Sequence, residues 1–303
     1  MRENKGGKTM KGFALSFGLG VLICLPVPGL AQTTAFTFQT ITYPGDTFTQ
    51  LLGINNAGSI AGYHGSGATG HPNKGFRLTL PSTFTAENFP GSMQTQVIGI
   101  NDNNNTAGFY IDAAGTNHGF WRDHSGSFNT VDFPGTTFNQ LLGLNTKAQF
   151  AGFYNGAANN SHGYINARFG GVFLVFTIPT ATSAQATGIN NTGQVSGFYV
   201  NAAGTHGFLL SQGQFRTLDF PAAMSTSAFG LNNVGQVVGT YTDMAGLIHG
   251  FVWTGPTGFM EVDDPSGPGA TIINGINDDG VIVGFFGACT SGGLTCDGFV
   301  GTP

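Results

Sequence analysis

The chain has 303 residues, of which only 8% are charged, with a formal net charge of −5, 50 glycines and 28 phenylalanines. Nucleic acid is excluded as a partner, because neutralising phosphates requires clustered Lys and Arg. Solubility must rest on Asn, Thr, Ser, Gln and exposed backbone.

Residues 1–32 carry the three parts of a secretory signal: Arg2, Lys5, Lys8 and Lys11 at the start, an apolar run from Gly12 to Leu25, and the small residues of Gly29-Leu30-Ala31 for cleavage. The apolar run is too short for a good membrane span, so no integral span is expected. Cys24 follows Ile23, where a lipid-anchoring signal wants a small residue, so a lipoprotein is not expected. Removing the signal leaves six basic and fourteen acidic residues, a net charge of −8. Export and a soluble extracellular, periplasmic or surface location follow as expectations.

The mature chain opens with Phe38 to Tyr43, an alternating apolar segment stopped by Pro44. Then a pattern begins whose leading glycine recurs at Gly53, Gly99, Gly143, Gly188, Gly230 and Gly275, in steps of 46, 44, 45, 42 and 45 residues. Its fullest form is Gly188-Ile189-Asn190-Asn191-Thr192-Gly193-Gln194-Val195-Ser196-Gly197-Phe198-Tyr199. Asn followed three residues later by Gly, between apolar alternating runs, predicts a tight hairpin in which the Asx side chain caps the turn and Gly takes a positive φ. Asn104 stands in that Gly place in copy two and is tolerated there. Ala148 stands in it in copy three, which predicts a strained or differently shaped turn.

Two more elements recur. One runs from Phe38, Phe84, Phe128, Phe173, Phe215 or Phe259 to a proline six residues on and reads as a strand. The other begins His118-Gly119-Phe120, His162-Gly163-Tyr164, His206-Gly207-Phe208 and His249-Gly250-Phe251, with Lys74-Gly75-Phe76 and Asp297-Gly298-Phe299 in the outer copies. One period thus holds four strands, Thr49 to Asn55, Ser59 to Tyr63, Lys74 to Leu80 and Phe84 to Phe89 in the first copy. Six such periods predict an all-β fold, a six-bladed β-propeller with four antiparallel strands per blade. The last period lacks the strand that stands alone at Phe38. Joining the two would close the ring and remove exposed sheet edges. Residues 33–303 therefore read as one domain and as a monomer.

The small, glycine-bearing strand belongs at the crowded axis and the proline-ended strand at the rim. The Asn turns then share one face, and the loops before each His-Gly-Phe and after each proline share the other. Those loops vary while the framework repeats, and variable loops on a constant scaffold are where binding resides.

Candidate ligand-binding residues are the six at the start of the third strand: His118, His162, His206, His249, Lys74 and Asp297. The same residue in four blades reads first as one repeated structural hydrogen bond, and symmetry keeps the six too far apart to share a metal. Lys74 and Asp297 fall in neighbouring blades and could pair across the seam. The last copy is acid-rich, with Glu261, Asp263, Asp264, Asp278, Asp279 and Asp297, but these are not expected to converge on calcium. No metal and no cofactor is expected. Cys289 and Cys296, with six residues between them in an exported chain, read as a disulfide.

There is no metalloprotease His-Glu pair and no Gly-x-Ser-x-Gly elbow. Gly65-Ser66-Gly67-Ala68-Thr69-Gly70 matches a dinucleotide fingerprint letter by letter, yet it opens no helix.

The Gly-Ile-Asn-Asn-x-Gly-x-Val-x-Gly pattern followed by His-Gly-Phe resembles the extracellular repeats of the bacterial HAF family over nearly all of the mature chain, with Gly119, Gly163, Gly207 and Gly250 where the family has Ala. The resemblance implies export and a repeated β fold, and carries no catalytic residues. The expected function is a binding or scaffolding module for an extracellular glycan or protein. The alternative is a secreted polysaccharide hydrolase or lyase that would need acids such as Asp112, Asp243 and Asp297, with the histidines, gathered around one axial pocket.

Overall fold

Each copy of the repeat forms a four-stranded antiparallel sheet. The computed structural model describes residues 36–303 apart from 168 and 169, so the signal expected at 1–32 lies outside the described residues. Strand β1 is Thr37–Ile41. Blade 1 is β2 (Thr49–Ile54), β3 (Ser59–His64), β4 (Lys74–Thr79) and β5 (Thr83–Ala86). Blade 2 is β6 (Gln94–Ile100), β7 (Thr106–Ile111), β8 (Asn117–Arg122) and β9 (Phe128–Thr130). Blade 3 is β10 (Asn139–Leu144), β11 (Phe150–Asn155), β12 (Ser161–Asn166) and β13 (Phe173–Val175). Blade 4 is β14 (Ser183–Ile189), β15 (Val195–Asn201), β16 (Gly204–Ser211) and β17 (Gln214–Leu218), and blade 5 is β18 (Ser225–Leu231), β19 (Gln236–Thr242), β20 (Ile248–Thr254) and β21 (Gly258–Glu261). Blade 6 is β22 (Thr271–Ile276), β23 (Ile282–Phe286) and β24 (Asp297–Thr302), completed by β1, with Phe38 opposite Gly301 and Thr40 opposite Phe299. The six-bladed propeller and its closure by the N-terminal strand are as the sequence predicts. Among the described residues no helix is long and apolar enough to cross a membrane.

The repeated motif holds each blade together through a contact between its glycine and its aromatic residue. Gly62, Gly108, Gly152, Gly197, Gly239 and Gly284 stand in register with Phe76, Phe120, Tyr164, Phe208, Phe251 and Phe299. A Cβ at Gly108 would lie 2.0 Å from the Gln96 carbonyl and 3.0 Å from the Phe120 ring. The missing side chain is therefore the room the ring occupies, and all six rings are fully buried. Each such ring contributes roughly 2–3 kcal/mol of apolar burial.

Neighbouring blades are stitched twice. Ahead of four proline corners the backbone N–H donates to a threonine on the next inner strand, Tyr43 to Thr49 at 2.8 Å, Phe89 to Thr95 at 3.0 Å, Phe220 to Thr226 at 2.9 Å and Asp264 to Thr271 at 3.1 Å. At the other face each turn asparagine reaches the next blade. Asn55 Oδ1 accepts the N–H groups of Ala57 and Ser59 at 3.1 and 2.9 Å, as an Asx turn requires, while its Nδ2 donates to the Asn101 carbonyl at 3.0 Å. Ala148 keeps the common turn shape at φ 55°, so copy three takes the strained of the two expected outcomes.

Every inner strand carries a register shift at its leading glycine, as between Leu51 and Gly53, Ile273 and Gly275, or Ala228 and Leu231. Such a bulge re-aims a side chain. Here it turns Leu52, Ile98, Leu142, Thr187, Phe229 and Asn274 onto the axis.

Candidate functional site

The six residues singled out in the sequence start the third strand of six different blades, so the fold spreads them around the ring. Each bonds locally. His118 Nδ1 lies 2.6 Å from Asp132 Oδ2, and the other oxygen of that carboxylate accepts the Gly119 N–H at 3.2 Å. His249 repeats this with Asp263 at 2.6 Å, as does His206 at 3.0 Å from Asp219. On the opposite ring edge, Nε2 faces Asp112 at 3.4 Å, Asp243 at 3.6 Å and the Asn201 amide oxygen at 3.2 Å. A tyrosine stacks on each ring, Tyr110, Tyr154, Tyr199 and Tyr241, with centroids 5.0–5.1 Å apart. Burial works against the charged form of His118, but the Asp132 and Asp112 carboxylates outweigh it and hold the imidazole above its ordinary value. His249 is raised in the same way by Asp263, Glu261 and Asp243 against its own burial.

The remaining three slots depart from this pattern. Among the described residues His162 makes no ion pair, and Thr177 stands where the acid would be. Asp297 accepts the Thr42 hydroxyl at 3.1 Å, so acid and partner have exchanged strands. Asn88 Oδ1 caps the Gly75 N–H at 3.1 Å behind Lys74. The seam pair between Lys74 and Asp297 does not form among the described residues.

The acids read as one acidic copy are divided. Glu261 and Asp263 lie on the rim side of blade 5, Asp264 is buried, Asp278 and Asp279 belong to the turn of blade 6 on the opposite face, and Asp297 starts β24. Glu261 and Asp263, close together on the rim side, meet His249 with ligating atoms within 4.8 Å of one another, while the other four acids do not join them. Local bonds account for that meeting, because Asp263 already holds His249 and the Tyr241 hydroxyl donates to Glu261.

The cavity that sequence reasoning missed is the axial funnel. It opens on the loop face, with a volume of about 260 Å³, and is walled by Tyr63, Phe198, Phe229 and Phe285, by aliphatic Leu52, Ile98 and Leu142, and by Gln50, Gln96, Gln185, Thr187 and Asn274. It narrows through the glycine belt to the asparagine turns. Gln50 Oε1 accepts the Tyr63 hydroxyl at 2.5 Å, and the Gln50 amide lies 3.8 Å from both sulfurs of the Cys289–Cys296 disulfide, which forms as expected. Asn274 Oδ1 is buried without a hydrogen-bond partner. The signal for this site was the residue before each leading glycine, which changes from copy to copy (Leu52, Ile98, Leu142, Thr187, Phe229, Asn274) while its neighbours stay constant. None of Asp112, Asp243, Asp297 or the four repeated histidines lines it. It offers aromatic faces and amides and no titratable pair, the composition of a binding pocket.

No protein-family model matches the chain, and no curated protein matches it. Solved structures match in fold. AofleA from Arthrobotrys oligospora superposes with a TM-score of 0.53 at 15% identity over 84% of each chain. The SapL1 lectin in complex with alpha methyl fucoside gives 0.51 at 12% identity over 80% of this chain and 88% of that one. A mutant Aleuria aurantia lectin in complex with Fucalpha1-6GlcNAc gives 0.50 at 11% identity over 84% of this chain and 91% of that one. At such identities the likeness is one of fold.

Proposed function

We propose that this chain is an exported β-propeller module that binds extracellular glycan in its axial funnel. The observation that carries the reading is the funnel's mixed wall, four aromatic rings together with the side-chain amides of Gln50, Gln96, Gln185 and Asn274. A sugar ring presents apolar C–H faces and hydroxyl donors, and this wall answers both. At about 260 Å³ the space is below the ~300–1,000 Å³ of drug-sized pockets and suits a single sugar ring. Lectin function in fold neighbours such as SapL1 supports the reading. So do the secretory pattern of residues 1–32, the disulfide and the resemblance to extracellular repeat proteins.

A glycan array followed by calorimetry tests it. Binding of a defined terminal sugar should weaken about tenfold or more in Asn274→Ala and vanish in Leu142→Trp, which fills the funnel. Binding that survives Leu142→Trp, in a variant that unfolds at the same temperature, would place any glycan elsewhere.

A further inference from the structure

In blade 1 the loop between β3 and β4 brings together a serine, a histidine and a carboxylate that no repeat feature requires. His71 Nδ1 lies 3.3 Å from the Ser66 backbone N–H and 3.1 Å from Ser66 Oγ, and its Nε2 lies 2.9 Å from Asp46 Oδ2. A backbone N–H can only donate, so Nδ1 is the acceptor and the proton sits on Nε2, facing Asp46. That tautomer leaves the Ser66 hydroxyl donating to the same imidazole lone pair, which it shares with its own backbone N–H, the polarity of a serine facing its base. Asp46 is nearly buried, at 7% side-chain exposure, and is itself fixed by His64 Nδ1 at 2.8 Å and the Phe48 N–H at 2.9 Å. In blade 3 the Thr136 hydroxyl accepts the matching N–H of Phe138 at 3.0 Å, so the turn alone has no need of a carboxylate.

The serine stands between Gly65 and Gly67, at φ 91° and 73°, both left-handed. A Cβ on Gly67 would lie 3.4 Å from Asn73 Nδ2, and Asn73 is buried with its Oδ1 unpartnered. The Asn73 side-chain amide thus borders the space next to the serine, together with Gln94 Oε1, also 3.4 Å from that Cβ position. Gly67, Thr69 and Gly70 are exposed, which leaves room for a short acyl group on a larger carrier.

We propose that Ser66, His71 and Asp46 form a nucleophilic site that cleaves short-chain carboxylic esters, of the O-acetyl kind. Ser66 Oγ attacks the ester carbonyl carbon while its proton passes to His71 Nδ1, and the Asn73 amide faces the developing oxyanion. The carbonyl re-forms, the C–O bond to the alcohol breaks, and the imidazolium returns the proton to the departing alkoxide. Water then adds to the acyl-serine with His71 as base, releasing the acid and restoring the hydroxyl. Asp46 holds the imidazole and its charge throughout. The match of this loop to a dinucleotide fingerprint is incidental to its glycines.

The purified chain should hydrolyse p-nitrophenyl acetate and take up a fluorophosphonate probe on the peptide containing Ser66. Ser66→Ala should lose the label and slow hydrolysis about a hundredfold, the usual share of a positioned base and nucleophile. Ser66→Cys should be alkylated by iodoacetamide faster than Ser66→Cys with His71→Asn, which reads the imidazole's pull without relying on turnover. Hydrolysis unchanged in Ser66→Ala would come from surface imidazoles and would overturn the proposal. So would the absence of any label at Ser66, or equal alkylation rates in the two cysteine variants.

Discussion

Asn277 Nδ2 donates to the backbone carbonyl of Asn55, 222 residues away, at 3.4 Å. This bond closes a circle of six. Asn55 reaches Asn101, Asn101 reaches Asn145, Asn145 reaches Asn190, Asn190 reaches Asn232 and Asn232 reaches Asn277, all at 2.9–3.0 Å. The seam bond is the longest of the six. Asn190→Ala removes the link to blade 5 and the two Asx bonds to Thr192 and Gln194, at 3.1 and 3.0 Å. It should cost about 2–3 kcal/mol, since buried partners are left unsatisfied. Asn277→Ala should cost less, because its link is already stretched. Urea unfolding midpoints of the two variants compare them directly.

The turn of copy three offers the opposite test. Ala148 holds φ 55° where four of its counterparts are glycine, and an L-residue there costs about 1–2 kcal/mol. Ala148→Gly should recover about 0.5–1 kcal/mol after the added chain entropy of glycine is counted. A rise of about 2–4 °C in melting temperature is the expected reading. No rise would mean that the Asn145 network had already relaxed the strain.

These turns were legible in the sequence because everything that specifies them lies within six residues. The ring's closure was legible too, since a missing fourth strand and a surplus first one can be counted. The funnel was not. Residue 52 and its counterparts face the axis only because of the bulge before Gly53, and a strict two-residue alternation does not reveal a register shift. The histidine pairs were half legible. A shared hydrogen bond was expected, but its acceptor lies just past the end of the next strand, with Asp132 fourteen residues beyond His118, and only the register brings them together. Ser66 and His71 are five residues apart, yet nothing in the sequence shows that the loop folds back onto Asp46.

The His–Asp pairs set a pH window. His118 and His249 titrate above the ordinary 6.5, so folding favours their protonated forms. Their contribution is fully present below about 6.5 and is lost as pH rises through the folded values. Asp112 and Asp243 are held below the ordinary 3.8, mainly by the Thr116 and Leu247 backbone N–H groups, so theirs is present above about 4 and is lost on further acidification. Melting temperature should therefore be highest between about pH 4 and 6.5 and decline toward pH 8. In a His118→Gln, His249→Gln double variant the decline from pH 6 to 8 should flatten. An unchanged slope would assign the titration to other groups.

Blade 3 replaces two core residues at once. Tyr164 stands where five blades have phenylalanine, and Asn139 where four have threonine. The Tyr164 hydroxyl donates to Asn139 Oδ1 at 2.8 Å, and Asn139 Nδ2 donates to the Val131 carbonyl at 2.8 Å, so the buried hydroxyl is satisfied by the second change. Burial pushes the phenol far above its ordinary range, so it acts only as a donor. Tyr164→Phe should cost about 1 kcal/mol, the net worth of one hydrogen bond. Asn139→Thr should cost about 1–3 kcal/mol, because the shorter side chain leaves the hydroxyl without a partner in a dry core. The double variant rebuilds the phenylalanine and threonine of the other blades and should return close to the parent. Its unfolding free energy should exceed the additive expectation by about 1–2 kcal/mol, within the range found for residues in contact. Strict additivity would mean that the two sites do not share the bond and that the core of blade 3 is packed independently of it.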